Sequence, residues 1–371
     1  MKNVLYITYG EDLSIESSGV SKKIYSQVET IDKKNFNVYL SGFFNGKYGV
    51  KGDDDYIDIK NIPFLLKKKK VFKYLLNKIE LLKIDIVYIR MICASSSTIE
   101  FYKKLKIKNI KIIMEIPTYP YDNEAIELKS KIVNFFDKIY RKKYINILDY
   151  IVTFSDHKYI YGVECINISN AVNSNEILNP ENINSNVKKD CLRFLSVSSV
   201  SYWHGIDRFV KSMEIYYKSK NPKYNIYFYI VGPENQVRKD LEDYVLSTKE
   251  IKDRILFLGE KKSIELREIY LDVDFGVGSL GRHRSGIYDL NSLKNKEYCS
   301  YGIPFIYSEN DKDFDGKPFA LKVKPDESTL DIDYLCDNLV DINLTRSDIV
   351  KYAHNYTWDT QMKKIFSFFV G

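Results

Sequence analysis

Apolar residues in the first half of the chain fall into two alternating patterns, short unbroken runs and longer stretches spaced every three to four positions. The runs Val4 to Thr8, Asn37 to Leu40, Asp85 to Arg90, Ile110 to Glu115 and Ile151 to Phe154 predict strands. The spaced stretches Val20 to Ile31, Val71 to Leu82, Ser97 to Leu105 and Lys129 to Ile147 predict helices. This alternation is the rhythm of a parallel sheet covered on both faces by its crossover helices.

Residues 173–190 break the rhythm: they are rich in Asn, Glu and Ser, carry Pro180, and predict an exposed linker with little to bury. The rhythm then restarts with strands at Phe194 to Val197, Tyr227 to Val231, Ile255 to Leu258, Phe275 to Val277 and Phe305 to Tyr307. Helices are expected at Asp207 to Tyr217, Val237 to Leu246, Ser263 to Ile269 and from Leu293 onward. The expectation is an α/β protein of two doubly wound Rossmann-like domains, 1–172 and 191–355, facing each other across a cleft where such sheets bind ligands. The end of the chain, 356–371, reads as an aromatic amphipathic helix that caps the second domain or crosses back to the first.

Composition narrows this picture. The 371 residues suffice for two cores, and 44% hydrophobic with 14% aromatic residues excludes a disordered chain. A net charge of +6 tolerates acidic partners without identifying one. The lysines are local and accompany no zinc-finger or recognition-helix pattern, so nucleic acid is not an expected partner. Cys93, Cys165, Cys191, Cys299 and Cys336 are scattered without a CxxC pair, which reads as reduced thiols and not as a disulfide framework or structural zinc site. With no secretory h-region and no 18-residue apolar run, the expected location is the cytoplasm. Asp53-Asp54-Asp55 and Asp272-Val273-Asp274 read as a loop and a strand lead-in, so no metal site is expected.

Candidate chemistry concentrates after Phe275. A strand runs into a loop with Gly276, Gly278, Gly281 and Gly286, then into a helix entered through Asn291 and Ser292. Free N–H groups at such a helix start can hold a phosphate, the glycines let a ligand approach the backbone, and Arg282 and Arg284 can pair with anionic oxygens. A purely structural strand-to-helix loop is the competing reading.

Asp289 and Glu297, eight positions apart and followed by Gly302-Ile303-Pro304, resemble the paired-carboxylate signature of family 4 (group 1) of the retaining GT-B glycosyltransferases, of the capsule and O-antigen biosynthesis type. Leu293-Lys294 with Glu297-Tyr298 is similar to one branch of that family. Ser196-Val197-Ser198, His204 to Arg208, Ile230-Val231-Gly232, Phe257-Leu258-Gly259 and Asn170-Ala171-Val172 resemble its other segments in order and spacing, so the likeness spans Val152 to Phe369. It implies a hexosyltransferase-type enzyme that moves a sugar from a nucleoside-diphosphate sugar to a hydroxyl of a glycan or lipid-linked acceptor, with retention and without metal. No permanently bound cofactor is implied; the nucleotide sugar is the donor substrate. Glu297 would accept the ribose hydroxyls, Asp289 would sit against the donor sugar, and Asn291, Ser292 and Leu293 would hold the diphosphate. Ser18-Gly19-Val20 resembles the family's glycine loop, which adds Gly19 to the expected binding residues.

Two departures qualify the resemblance. Where the family has Arg and, five residues on, Lys against the donor phosphates, this chain has Ser199 and His204. Histidine titrates near neutrality, so Arg282, His283, Arg284 and Lys294 are the candidates to replace the missing cations. Relatives carry a histidine after the fourth strand, where this chain has Glu115 followed by the turn Ile116 to Pro120. An exposed, held Glu115 is expected there as a third catalytic carboxylate, against a structural role. The losses leave two alternatives open: a catalytically degenerate nucleotide-sugar-binding protein, and an epimerase or phosphorylase of the same fold. Residues 63–83 mix four consecutive lysines with large apolar residues, and an anionic membrane surface on the inner face of the cell membrane is expected there as a further partner, with a solvated helix face as the competing reading.

Overall fold

The computed structural model describes residues 1–15, 19–122, 128–179, 191–219 and 221–370. The chain divides into two compact units, Met1–Ser169 with Trp358–Gly371, and Asn170–Thr357.

The first unit is built on β1 (Lys2–Asp12), β2 (Phe36–Phe44), β3 (Lys47–Val50), β4 (Ile86–Arg90), β5 (Lys111–Ile116), β6 (Tyr150–Thr153), β7 (Tyr159–Ile160) and β8 (Val163–Asn167). They form one sheet in the order β3-β2-β1-β4-β5-β6-β8-β7. The central strands are parallel, while β3 and β7 fold back antiparallel at the two edges. Val4, Leu5, Tyr6 and Ile7 are all fully buried, because helices cover both faces of β1. The helices are α1 (Gly19–Thr30), α2 (Phe64–Leu81), α3 (Ser96–Ile107) and α4 (Leu128–Tyr140). α2 buries Val71, Leu75 and Ile79, one stripe at helical spacing.

The second unit carries β9 (Cys191–Val197), β10 (Asn225–Val231), β11 (Ile255–Gly259), β12 (Phe275–Val277), β13 (Phe305–Tyr307) and β14 (Ala320–Lys322). Its helices are α5 (Ile206–Lys218), α6 (Gln236–Ser247), α7 (Ser263–Asp272), α8 (Leu293–Ser300), α9 (Ile332–Val340) and α10 (Arg346–Ala353). The strands order as β11-β10-β9-β12-β13-β14, every neighbouring pair parallel. The chain moves outward from β9 in one direction, then returns and moves outward from β12 in the other. The crevice at the carboxyl ends of β9 and β12 is therefore the topological switch point. Beneath it, Phe194, Phe209, Phe228 and Phe275 pack ring to ring at 4.8–5.2 Å.

The final helix, α11 (Trp358–Phe366), belongs to the first unit. Trp358, Met362, Ile365 and Phe366 are buried, and the Phe366 ring meets Phe36 at 5.1 Å and Tyr88 at 6.2 Å. No helix among the described residues is long and apolar enough to cross a membrane.

Three sequence expectations differ from the structure. The helix expected over Lys129 to Ile147 ends at Tyr140, and a 3-10 turn, Arg141–Asn146, follows and turns Tyr144 into the core. The linker expected from residue 173 is exposed at Ser174, Asn175 and Glu176, but Leu178 within it is buried and its N–H donates to Ser300 O at 3.0 Å. Residues 180–190 of that linker lie outside the described residues. Strands β3, β7, β8 and β14 were not expected; β3, β7 and β14 are edge strands, and β8 lies between β6 and β7.

Gly302 closes the turn after α8 with φ +68°, and a Cβ there would lie 2.4 Å from Arg346 O at the start of α10. Gly302→Ala is expected to lose about 2–3 kcal/mol in a urea titration, from a strained φ combined with a displaced backbone. An unchanged midpoint would mean that α8 and α10 are not held this closely.

Candidate functional site

The switch point of the second unit is shaped by close backbone contacts. Gly205 sits at φ +64°, and a Cβ there would lie 2.5 Å from Gly281 N, so the loops after β9 and β12 touch only because glycine stands at their crossing. Leu280 N–H donates to His204 O at 2.8 Å. From α5, the buried Arg208 guanidinium donates to Leu280 O, to Ser328 O at 3.0 Å and to Lys324 O at 3.2 Å, fixing the loop from below.

Helix α8 is pinned to the same place. The Tyr298 ring lies where a Cβ on Gly276 would reach it at 2.6 Å, and its hydroxyl is 3.0 Å from both Leu195 O and Val277 O, one carbonyl on each switch-point strand. This orients the start of α8 over the carboxyl ends of β9, β12 and β13. Ser292, the residue before the helix, makes no side-chain cap, and its own N–H goes to Asp311 Oδ2 at 3.3 Å. The first-turn N–H groups of α8 thus receive no capping side chain from Ser292.

Four ionisable groups from separate segments converge here: Arg282 and Lys294 lie within electrostatic reach of each other and of both His204 and Glu309. The Lys294 ammonium nitrogen is enclosed and has no hydrogen-bond partner; burial, with Arg282 adding to it, pushes it down to about 7. Neither carboxylate oxygen of Glu309 has a partner, and the residue is 1% exposed. Burial, aided by Asp311, pushes Glu309 up to about 7, against the pull of Arg282 and Lys294. His204 was expected to titrate near neutrality. Burial, reinforced by Lys294 and Arg282, instead takes it down to about 2 and keeps the ring uncharged. Glu297 is half-buried on α8, one turn after Lys294, and accepts from Tyr270 OH at 3.2 Å.

The other expected residues are less available. Arg284 donates to both oxygens of Asp207 at 2.8 and 3.0 Å, to both oxygens of Glu327 at 2.7 and 2.6 Å, and to Tyr202 O. His283 Nε2 lies 2.6 Å from Glu327 Oε1. These two side chains tie the loop together. Of the four candidate replacements for the missing cations, Lys294 has an ammonium with no acceptor, and Arg282 lies beside it. Asp289 is exposed and takes a hydrogen bond at 2.8 Å from Nδ2 of Asn310, the residue that follows Glu309. Ser199 is exposed at the end of the β9 loop, where its backbone meets the His204 ring. Asn291 and Ser292 are buried, the Asn291 carbonyl accepting from Asn170 Nδ2, and Leu293 opens α8. In the first unit, Gly19 opens α1 with open space around its Cα, while Ser18 of the expected glycine loop lies outside the described residues.

Glu115 differs from its expected exposure. It is fully buried in β5 and accepts from Tyr88 OH at 2.6 Å, Gln27 Nε2 at 2.9 Å and Arg90 Nη1 at 3.0 Å, with Lys23 Nζ at 3.5 Å. Burial pushes its carboxyl up, but Lys23 and Arg90 outweigh that and hold it below its ordinary range. The cause is the parallel register: Arg90 of β4 stands directly beside Glu115, so the strand end that looked like a loop is interior sheet.

Glu309 and Asp311 were missed. The available signal was position: Ser308-Glu309-Asn310-Asp311 follows the apolar strand Phe305–Tyr307 at the carboxyl end of a parallel sheet. Asp311 accepts from Asn295 Nδ2 at 3.0 Å and lies 3.6 Å from Lys296 Nζ, which makes it a support for α8. Among the described residues no group of three or more His, Cys, Asp or Glu is arranged to hold a metal.

Two stability measurements follow. Glu115→Ala takes from Lys23 the carboxylate at 3.5 Å and leaves Arg90 only Glu11, and a loss of about 3–5 kcal/mol is expected in urea; a loss below about 1 kcal/mol would contradict a scaffold role. For Glu309 the raised carboxyl makes the folded state bind a proton that the unfolded chain has released. Its contribution is therefore fully present below its ordinary pKa of 4.5 and is lost as pH rises through about 7. The stability difference between wild type and Glu309→Gln should accordingly fall from pH 4.5 to pH 7, and a flat difference would place Glu309 in solvent.

Comparison with known proteins comes from structure alone, since no protein-family model and no curated protein sequence matches the chain. A sucrose-phosphate synthase from Thermosynechococcus elongatus is similar over 100% of this chain and 98% of its own, with a TM-score of 0.70 at 11% identity. A glycosyltransferase from Rickettsia africae aligns over 99% of this chain and 97% of its own, with a TM-score of 0.67 at 15% identity. A lipopolysaccharide outer core galactosyltransferase aligns over 98% and 99%, with a TM-score of 0.59 at 15% identity. At such identities the likeness establishes the fold: two Rossmann-like α/β units in one chain, as in GT-B proteins.

Proposed function

We propose that this chain is a retaining, metal-independent glycosyltransferase that moves a sugar from a nucleoside-diphosphate sugar to a hydroxyl of a glycan or lipid-linked acceptor. The observation that carries the reading is Lys294: an enclosed ammonium without a partner, beside Arg282, at the start of a helix that Ser292 leaves uncapped. A buried cation with no acceptor is unstable unless something anionic arrives, and the helix start adds N–H groups and a favourable dipole for the same charge.

In this mechanism Lys294, Arg282 and the first-turn N–H groups of α8 from Leu293 onward hold the diphosphate, while the Ser292 N–H stays on Asp311. Glu297 accepts the ribose hydroxyls, and Asp289 orients the donor sugar. As the bond from the anomeric carbon to the phosphate oxygen breaks, negative charge grows on the leaving diphosphate, and these fixed donors stabilise it without reorganising. The acceptor hydroxyl attacks on the face the leaving group vacates, forming the new C–O bond as its proton passes to the departing diphosphate oxygen, giving retention. His204, kept neutral, orients without adding charge. The same neutrality favours one alternative, a nucleotide-sugar-binding protein without turnover, because a cation carried by relatives at this position is missing. An acceptor of the capsule or O-antigen kind, met on the cytoplasmic side, follows from the resemblance.

The test is a thermal shift with UDP, GDP, TDP, CDP and ADP in the presence of EDTA, followed by a transfer assay with the sugar of the selected base. One nucleotide is expected to stabilise the protein, by about 2.7 kcal/mol at a hundred times its Kd. Lys294→Met and Glu297→Ala should each weaken binding at least about tenfold. Lys294 is depressed in the free protein and must be protonated to meet the diphosphate, so wild-type affinity should fall as pH rises above about 7. No stabilisation by any nucleotide would overturn the reading; binding without transfer or donor hydrolysis would select the inert alternative.

A further inference from the structure

Helix α4 is amphipathic with its faces reversed. Ile132, Phe135, Phe136 and Ile139 form one stripe at i, i+3, i+4 and i+7, and they are 53%, 62%, 49% and 48% exposed. The inward face is polar. Asp137, 1% exposed, accepts from Ala94 N–H, from Tyr121 OH at 2.7 Å and from Arg141 Nη1 at 3.2 Å, and Asn134 Nδ2 donates to Asp122 O at 2.9 Å. Hydrogen bonds therefore attach the helix to the unit, and its apolar stripe is left facing outward. A contiguous exposed patch of this kind on a folded protein marks a surface that another phase or molecule covers.

The charge around the stripe identifies the partner. Lys131, Lys142 and Lys143 are exposed on α4 and the turn Arg141–Asn146, Lys138 is exposed but lies 3.6 Å from Asp122 Oδ2, and the one acidic residue of 128–147, Asp137, is buried and bonded. Lys143 also lines, with Lys103 and Lys106 of α3, an open cavity of about 510 Å³. An apolar stripe flanked by lysines, with no exposed carboxylate among residues 128–147, is complementary to an anionic interface with an apolar interior. A second copy of the chain fits poorly, since pairing the two stripes would bring lysines of like charge together.

The expectation placed on residues 63–83 fits less well. Val71, Phe72, Leu75 and Ile79 of α2 are core residues, Lys78 is paired to Asp53 and Asp55, and Lys68 donates to Cys93 O. From Val71 to Ile79 that helix uses its apolar face within the unit, while Phe64 and Leu66 at its start are exposed.

We infer that α4 and the turn after it dock on an anionic lipid bilayer, with Ile132, Phe135, Phe136 and Ile139 entering the boundary between headgroups and acyl chains and the lysines facing the headgroups. Vesicle co-sedimentation tests this, comparing phosphatidylcholine alone with phosphatidylcholine containing about 30% phosphatidylglycerol, at low and high salt. Wild type should sediment with the anionic vesicles, and salt should weaken it. Phe135→Ser/Phe136→Ser should lower the partition at least about tenfold, and Lys142→Glu/Lys143→Glu should lower it only for anionic vesicles. All four positions are exposed, so the melting temperature should stay unchanged; if the aromatic variant fails to fold, the lysine variant decides. The inference is overturned if wild type stays in solution with anionic vesicles, or if the folded variants sediment like wild type. It is also overturned if wild type is a dimer in solution that Phe135→Ser/Phe136→Ser dissociates.

Discussion

The anchorage of α8 is the constraint on which the second unit's site depends. Tyr298 bridges the Leu195 carbonyl of β9 and the Val277 carbonyl of β12 with one hydroxyl and lies against Gly276, so the helix cannot rise from the sheet without opening the switch point. Lys294 and Glu297 are one turn or less from Tyr298, and their positions follow from it. Asp311 supports the same helix from the loop after β13, taking Asn295 Nδ2 and the Ser292 N–H on one carboxylate. The tyrosine that follows the glutamate in this segment thus has a physical role separate from any ligand: it converts a sheet edge into a fixed platform.

The chain contains two buried charge clusters that differ in their balance. Around Glu115 every strong donor faces an acceptor, and the group is held ionised by Lys23 and Arg90 at the cost of desolvation. Around Lys294 the balance is not closed: two partnerless groups of opposite sign, Lys294 and Glu309, sit within electrostatic reach but form no ion pair. A protein tolerates such a gap only when the lost hydrogen bonds are supplied by something else, which is why the second cluster and not the first reads as a binding site.

The parallel α/β character of both units was legible because central strands are unbroken apolar runs; β1 and β2 both run past the expected bounds, β1 to Lys2–Asp12 and β2 to Phe36–Phe44. The glycines at 205, 281 and 302 were visible as letters, and the structure supplies the close contacts that explain them. Burial was not legible. Glu115 looked exposed because a turn follows it, yet its neighbours in space, Gln27, Tyr88 and Arg90, come from elements 25 or more positions away. Arg284 and Lys294 were equal candidates in sequence, and only the placement of Asp207 and Glu327 separates the occupied cation from the partnerless one.

Helices α2 and α4 carry the same limit further. Both mix lysines with large apolar residues, and periodicity alone gives each an apolar stripe. Which way the stripe turns is decided by what the opposite face can bind. α2 offers lysines outward and Val71, Leu75 and Ile79 to a waiting core. α4 offers Asp137, which takes the Ala94 N–H, the Tyr121 hydroxyl and the Arg141 guanidinium, and Asn134, whose Nδ2 donates to Asp122 O. A buried carboxylate bonded in this way is strong enough to hold a helix in place, and once it does so the apolar stripe has nowhere inside the unit to go. The outward stripe on α4 is thus a consequence of the Asp137 network, and the reversal is built into the fold.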